Sequence, residues 1–197
     1  MNFTRKNPVI YVLSGKAGNG KNKIAELIKD IYEEKGAKTI NLAYASYLKE
    51  YAKNILAWDG SEETKPREFL QEIGISLIKN NIDANMLINR TLEDIEVYSY
   101  FYDVITISDA RFTDEIEEVR KNFKNVIVIH VFGKENNLTD KERKHITETA
   151  LDSYNDYDYE IDNSKSLEEL KNTIERIIKE VENYHYNSCN RWSSWKR

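Results

Sequence analysis

The sequence predicts an α/β fold: a three-layer α/β/α domain on a mainly parallel five-stranded sheet. Three observations carry that expectation. Short apolar runs alternate with segments of helical period, in the order β-loop-α-β-α-α-α-β-α-β-α-β-α, the pattern of a parallel sheet covered on both faces. The first run, Val9-Ile10-Tyr11-Val12-Leu13, leads through Ser14 into a glycine loop and then a helix. The run Val104-Ile105-Thr106-Ile107-Ser108 ends in Asp109, and a carboxylate at the C-terminal end of a parallel strand lies on the ligand side of an open sheet.

The loop is Gly15-Lys16-Ala17-Gly18-Asn19-Gly20-Lys21-Asn22, and it holds three of the seven glycines of the chain. Its spacing, G-x-x-x-x-G-K between strand and helix, is that of a phosphate cradle. Glycines let successive backbone N–H groups turn inward, the helix N-terminus adds partial positive charge, and Lys21 reaches the β- and γ-phosphates. The position after the lysine normally carries Ser or Thr, whose hydroxyl holds Mg²⁺; here Asn22 stands there. A sharp turn without a ligand is the plainer alternative.

The helix after the loop carries Ile24, Leu27, Ile28 and Ile31 on one face and stops at Gly36. Thr39–Ala43 reads as a second strand. Tyr44–Leu56 reads as a helix with Tyr47, Leu48, Tyr51 and Ile55 on one side, broken by Trp58-Asp59-Gly60-Ser61. Pro66 suits a first helical turn, and Phe69, Leu70, Ile73 and Leu77 form the stripe that follows. Arg67 sits near that helix start, where an arginine gains nothing from the dipole and is readable as a solvated charge. Met86–Glu96 is a further helix.

After the strand at 104–108, Asp109 could serve Mg²⁺ or its waters and Arg111 could bind phosphate; the alternative is an Asp–Arg pair tying a turn. Ile116, Val119 and Phe123 mark a helix, and Val126–Phe132 is the most apolar strand, in which His130 reads as structural. The polar stretch 134–151 contains Lys141, Arg143, Lys144 and His145 and reads as a solvated face or a basic lid over phosphates. Tyr154–Ile161 ends in a fifth strand, and Ser166-Leu167-Glu168-Glu169 caps a last helix with Leu170, Ile174, Ile177 and Val181. The tail 184–197, with two tryptophans and no clear periodicity, reads as a frayed or packed terminus.

At 197 residues the expectation is one domain over 1–183. The first apolar run is too short for a signal peptide, no run reaches the ~18 apolar residues of a membrane span, and a single cysteine, Cys189, suits a reducing compartment. A net charge of −5 speaks against generic nucleic-acid binding. The expectation is therefore a soluble, cytoplasmic protein.

Five motifs in order resemble the phage-type deoxynucleoside monophosphate kinases, P-loop phosphotransferases related to adenylate kinase. They are the loop Gly15–Lys21, Arg67-Glu68-Phe69-Leu70-Gln71-x-x-Gly74, Ser108-Asp109-Ala110-Arg111-Phe112-Thr113-Asp114-Glu115, His145-Ile146-Thr147-Glu148 and Tyr157-Asp158-Tyr159-Glu160-Ile161-Asp162-Asn163. Animal-type phosphomevalonate kinases look similar in the same places. The resemblance implies the P-loop kinase fold, ATP as donor, Mg²⁺, small-molecule nucleotides as partners, and the host cytoplasm as location for a phage-encoded chain; a homodimer stays open. It implies donor phosphates on Gly15–Lys21, Arg67 and Arg111 facing the acceptor phosphate or the transferring phosphoryl, and Arg143 in the lid-like segment. With Lys21 these would supply the cations, and Asn22 and Asp109 are the residues whose own chemistry suits Mg²⁺. Asn163 matches the turn that meets the adenine. Two departures stand out: relatives often carry Asp where this chain has Asn22 and Thr where it has Lys23, and the lid has fewer arginines. The implied reaction is phosphoryl transfer to a (deoxy)nucleoside monophosphate. A phosphomevalonate-type kinase and a non-catalytic nucleotide-binding module are the alternatives.

Overall fold

The computed structural model describes residues 3–133 and 143–193, the last nine of these by backbone only. The strands are β1 (Val9–Ser14), β2 (Thr39–Leu42), β3 (Val104–Ala110), β4 (Val126–Phe132) and β5 (Tyr159–Asp162). They form one five-stranded sheet in the order β2-β3-β1-β4-β5, every neighbouring pair parallel. Since every strand runs the same way, all the loops that leave strand C-termini gather along one edge of the sheet.

Side-chain alternation along β1 explains the three layers. Tyr11 and Leu13 point to the side covered by α1 (Lys21–Glu34) and α7 (Leu167–Ser193), where Ile24, Ile28, Ile174 and Ile178 join them. Ile10 and Val12 point to the other side, against α4 (Met86–Tyr98) and α5 (Thr113–Asn122), with Ile88, Ile95, Ile116 and Val119. A polar contact buried deep in the first layer is self-satisfied: the Tyr11 and Tyr32 hydroxyls lie 2.9 Å apart.

Three expectations are corrected. The helix starting at Pro66 is α3 only for Arg67–Gln71 and then winds as a π-helix over Glu72–Ile82. With i→i+5 bonds the winding is looser, so Ile78, five residues after Ile73, takes the buried position and Leu77 is left 48% exposed. Ile55, at the end of α2 (Ala45–Leu56), is likewise exposed and not part of the packed stripe. The last helix continues to Ser193, so the segment set apart as an irregular tail begins as regular helix.

His130 takes part in a ring stack, 4.7 Å from Tyr157 and 5.9 Å from Phe132. Burial holds its imidazole below the ordinary histidine range. The lid reading of 134–151 falls on 134–142, outside the described residues, and on 143–151, which includes the short helix α6 (Ile146–Thr149). Among the described residues no helix is long and apolar enough to cross a membrane.

Candidate active site

The glycine loop sits at the C-terminal end of β1 and is fixed from behind by two carboxamides. Asn19 donates its side-chain N–H to the carbonyl of Val131 at 2.9 Å, and Asn163 donates to the carbonyl of Asn19 at 2.8 Å. These contacts leave no room for side chains at two glycines, both of which also have positive φ. A Cβ on Gly15 (φ 135°) would lie 2.2 Å from the Val131 carbonyl oxygen, and one on Gly20 (φ 86°) 2.0 Å from Asn163 Nδ2. The glycine spacing is thus a requirement of packing against β4 and the turn after β5.

Lys21 opens α1 and is 6% exposed. Its ammonium donates to the carbonyls of Gly15 at 2.6 Å and Lys16 at 2.9 Å, across the concave side of the loop. Burial, reinforced by the charge of Arg111, pushes its pKa down to about 7, against the opposing pull of Asp109 and Glu148. Lys16 points outward and pairs with Asp152 at 3.1 Å.

From β3 come the other charged groups. Asp109 accepts the backbone N–H of Tyr44 at 2.8 Å and of Ala45 at 2.9 Å, so this carboxylate caps the start of α2 by taking up two N–H groups at its N-terminus. Arg111 donates to Glu148 Oε1 at 2.9 Å, and the other oxygen of Glu148 accepts the N–H of Ala17 at 2.7 Å. Glu115, buried at the start of α5, accepts the N–H groups of Arg111 and Phe112 at 2.6 and 3.1 Å. Burial lifts its pKa to about 8, with Asp109 and Asp114 pushing the same way.

These groups open onto one cavity of about 620 Å³. Ala17, Gly18, Gly20, Lys21 and Asn22 line one end, and Asp109 and Arg111 also line it. Leu48, Arg67, Leu70, Gly74, Ile75, Ile78 and Leu87 provide a second region, from α2, α3, the π-helix and α4. The glycine loop and a recess of apolar side chains with basic ones among them are therefore continuous, the arrangement that two-substrate chemistry needs. Arg67 is exposed at its residue surface yet lines this cavity.

The remaining predicted residues lie elsewhere. Gly15, Lys16 and Asn19 shape and anchor the loop from outside the cavity wall, and Asn163 acts on the loop backbone through Asn19. Arg143 is exposed and is not among the residues lining the cavity. Sequence reasoning missed Lys49, Lys65 and Lys79 in the lining, and it gave Glu148 and Glu115 no role. Lys79, within the π-helix, lies 3.8 Å over the Phe112 ring and pairs with Asp114 at 3.0 Å. The signal for Glu148 was its place in the His145–Glu148 motif.

For a divalent cation, the described residues contain no cluster of three or more acidic, histidine or cysteine side chains. Asn22 and Asp109 both line the cavity. Each Asp109 oxygen spends one lone pair on a backbone N–H and keeps another, which suits a hydrated ion held through its waters.

Comparison with known proteins bears on the family and the fold. The family model for deoxynucleotide monophosphate kinase matches residues 9–174. No curated protein matches the sequence. Among solved structures, a gluconokinase from Sinorhizobium meliloti 1021 is similar with a TM-score of 0.55 at 14% identity, covering 93% of this chain and 99% of that one. The Mycobacterium tuberculosis APS kinase CysC in complex with AMPPNP and APS gives 0.54 at 12% identity, covering 90% and 99%. At such identities these likenesses establish the P-loop kinase fold and nothing of the substrate. With a family model matched from β1 into α7, over the glycine loop and every strand of the sheet, the chain belongs to the deoxynucleotide monophosphate kinase family.

Proposed function

We propose that the protein transfers the terminal phosphoryl group of ATP to the phosphate of a (deoxy)nucleoside monophosphate, giving ADP and the corresponding diphosphate. The observation that supports it best is the single cavity joining the Ala17–Asn22 loop to the recess around Arg67. An oxygen of the acceptor phosphate bonds to the γ-phosphorus while the bond from that phosphorus to the bridging oxygen of ADP breaks. The acceptor phosphate is already ionised at neutral pH, so no general base is needed. What the protein supplies is alignment and positive charge.

In this reading the loop N–H groups and Lys21 hold the donor's β- and γ-phosphates. Arg111, at the end of β3, faces the transferring group, and Arg67 holds the acceptor phosphate. Leu48, Leu70, Ile75, Ile78 and Leu87 enclose the acceptor's nucleoside. Arg143 would join from the segment ahead of α6. Asn22 and Asp109 would hold Mg²⁺ through its waters; when bound, the ion neutralises charge on the donor phosphates.

The test is an ADP-release assay over all deoxy- and ribonucleoside monophosphates, with phosphomevalonate alongside. Turnover with one or more nucleoside monophosphates is expected. Turnover with phosphomevalonate alone would move the substrate class, and ATP binding without turnover would leave a binding module.

A further inference from the structure

Among the described residues, Glu148 is a carboxylate that touches both halves of the phosphate machinery. One oxygen accepts from the loop N–H of Ala17 at 2.7 Å and the other from the Arg111 guanidinium at 2.9 Å. Its side chain is 6% exposed, and that of Arg111 is 22% exposed. A carboxylate buried to this degree is stable only when its oxygens are matched by donors, and here both are. The contacts span 131 residues to the loop and 37 to Arg111, so neither follows from local chain geometry. A second tie, Lys16 to Asp152, holds the same stretch of chain against the outside of the loop.

We propose that Glu148 is a positioning residue for the transfer reaction: it sets where the charge of Arg111 lies relative to the glycine loop, and so relative to the donor's terminal phosphate. Arginine has a long stem with several rotatable bonds, and an unrestrained guanidinium would sample many positions around the cavity. Bonding one nitrogen to a carboxylate that is itself fixed to the loop backbone removes that freedom before substrate arrives. The remaining N–H donors of the five on Arg111 stay available for phosphoryl oxygens. The carboxylate also offsets one positive charge beside Lys21, which otherwise shares this small space with Arg111.

This rests on the phosphate-facing role of Arg111 in the proposed function, and a double-mutant cycle separates the two. Glu148→Gln keeps the shape of the side chain, lets its carbonyl oxygen accept from Ala17, and turns an amide toward Arg111. It should lower kcat by about 10- to 150-fold, the rate equivalent of a hydrogen bond to a charged group, with a smaller change in KM for ATP. Thermal unfolding of the variant serves as the packing control. In the Arg111→Ala background the same substitution should cost less than about threefold, because the group it positions is gone. Multiplicative losses in the double variant would overturn the proposal while leaving Arg111 in the site. Wild-type kcat in Glu148→Gln would overturn it too. Full activity in Arg111→Ala alone would instead remove Arg111 from the reaction, and the positioning role with it.

Discussion

Asn163 donates its side-chain N–H to the backbone carbonyl of Asn19 at 2.8 Å, across 144 residues of sequence. The turn after the last strand thereby closes over the back of the loop that follows the first. Gly20 is the residue that this contact crowds. Gly20→Ala would place a methyl group against the Asn163 amide at a φ that alanine adopts only with strain. The expected result is a loss of about 1–3 kcal/mol in unfolding free energy, with ATP affinity reduced as well. Asn163→Ala in the same chain should recover part of the loss by removing the clash, and equilibrium denaturation of the three variants checks it.

The buried carboxyl of Glu115 makes stability depend on pH in a defined direction. Its pKa is raised to about 8 in the fold, so between its ordinary value near 4.5 and 8 the unfolded chain releases a proton that the folded chain keeps. The contribution is therefore fully present below about 4.5 and is lost as pH rises through 8. Glu115→Gln has no such titration. The difference in Tm between wild type and Glu115→Gln should shift in favour of the variant over that window and level off above it. A difference that stays constant from pH 5 to 9 would mean that Glu115 ionises normally.

Arg67→Ala should act on the acceptor. Losing a charged hydrogen bond to the monophosphate costs about 1.5–3 kcal/mol, read as a fall in kcat/KM for the acceptor with ATP affinity little changed. Steady-state kinetics with each substrate varied in turn decides it. Equal losses for both substrates, or none, would return Arg67 to a solvated surface charge.

Asn22 should tune the metal requirement. Asn22→Asp adds a negative charge at the mouth of the loop and should lower the free Mg²⁺ needed for half-maximal rate, and Asn22→Ala should raise it. Asp109→Ala is a less clean probe, because it also frees the N–H groups of Tyr44 and Ala45 and so weakens the start of α2. Rate against free Mg²⁺ at saturating ATP gives the comparison, and one shared midpoint for Asn22 and its two variants would remove Asn22 from the metal site.

The sheet and the glycine loop were legible in the sequence because their signals are local. The glycines at 15, 18 and 20, the apolar run before them and the helical stripe after them are neighbours in the chain. The π-helix was not legible, because Ile73, Leu77 and Ile78 satisfy a 3.6-residue period as well as they satisfy looser winding, and the choice follows from packing; Gly74, whose added Cβ would lie 3.0 Å from Leu48, shows how close that packing is. The fifth strand, Tyr159–Asp162, lies where its tyrosine-rich approach ends, and Tyr154 and Tyr157 pack against the core ahead of it. Glu148 shows the clearest limit. Its residue type and motif were visible, but a bond to Ala17 from 131 residues away exists only once the sheet has brought the ends of β1, β3 and β4 together.

The central claim is transfer between two nucleotides, and the most direct measurement separates every phosphorus-containing product of a single reaction. ATP, Mg²⁺ and the nucleoside monophosphate selected by the assay panel are incubated with the protein and resolved by ³¹P NMR. ADP and the acceptor's diphosphate should appear in equal amounts, without inorganic phosphate, and Lys21→Ala should form neither. ADP accompanied by inorganic phosphate and an unchanged monophosphate would contradict the account, because the cavity would then be admitting water where it is required to admit an acceptor.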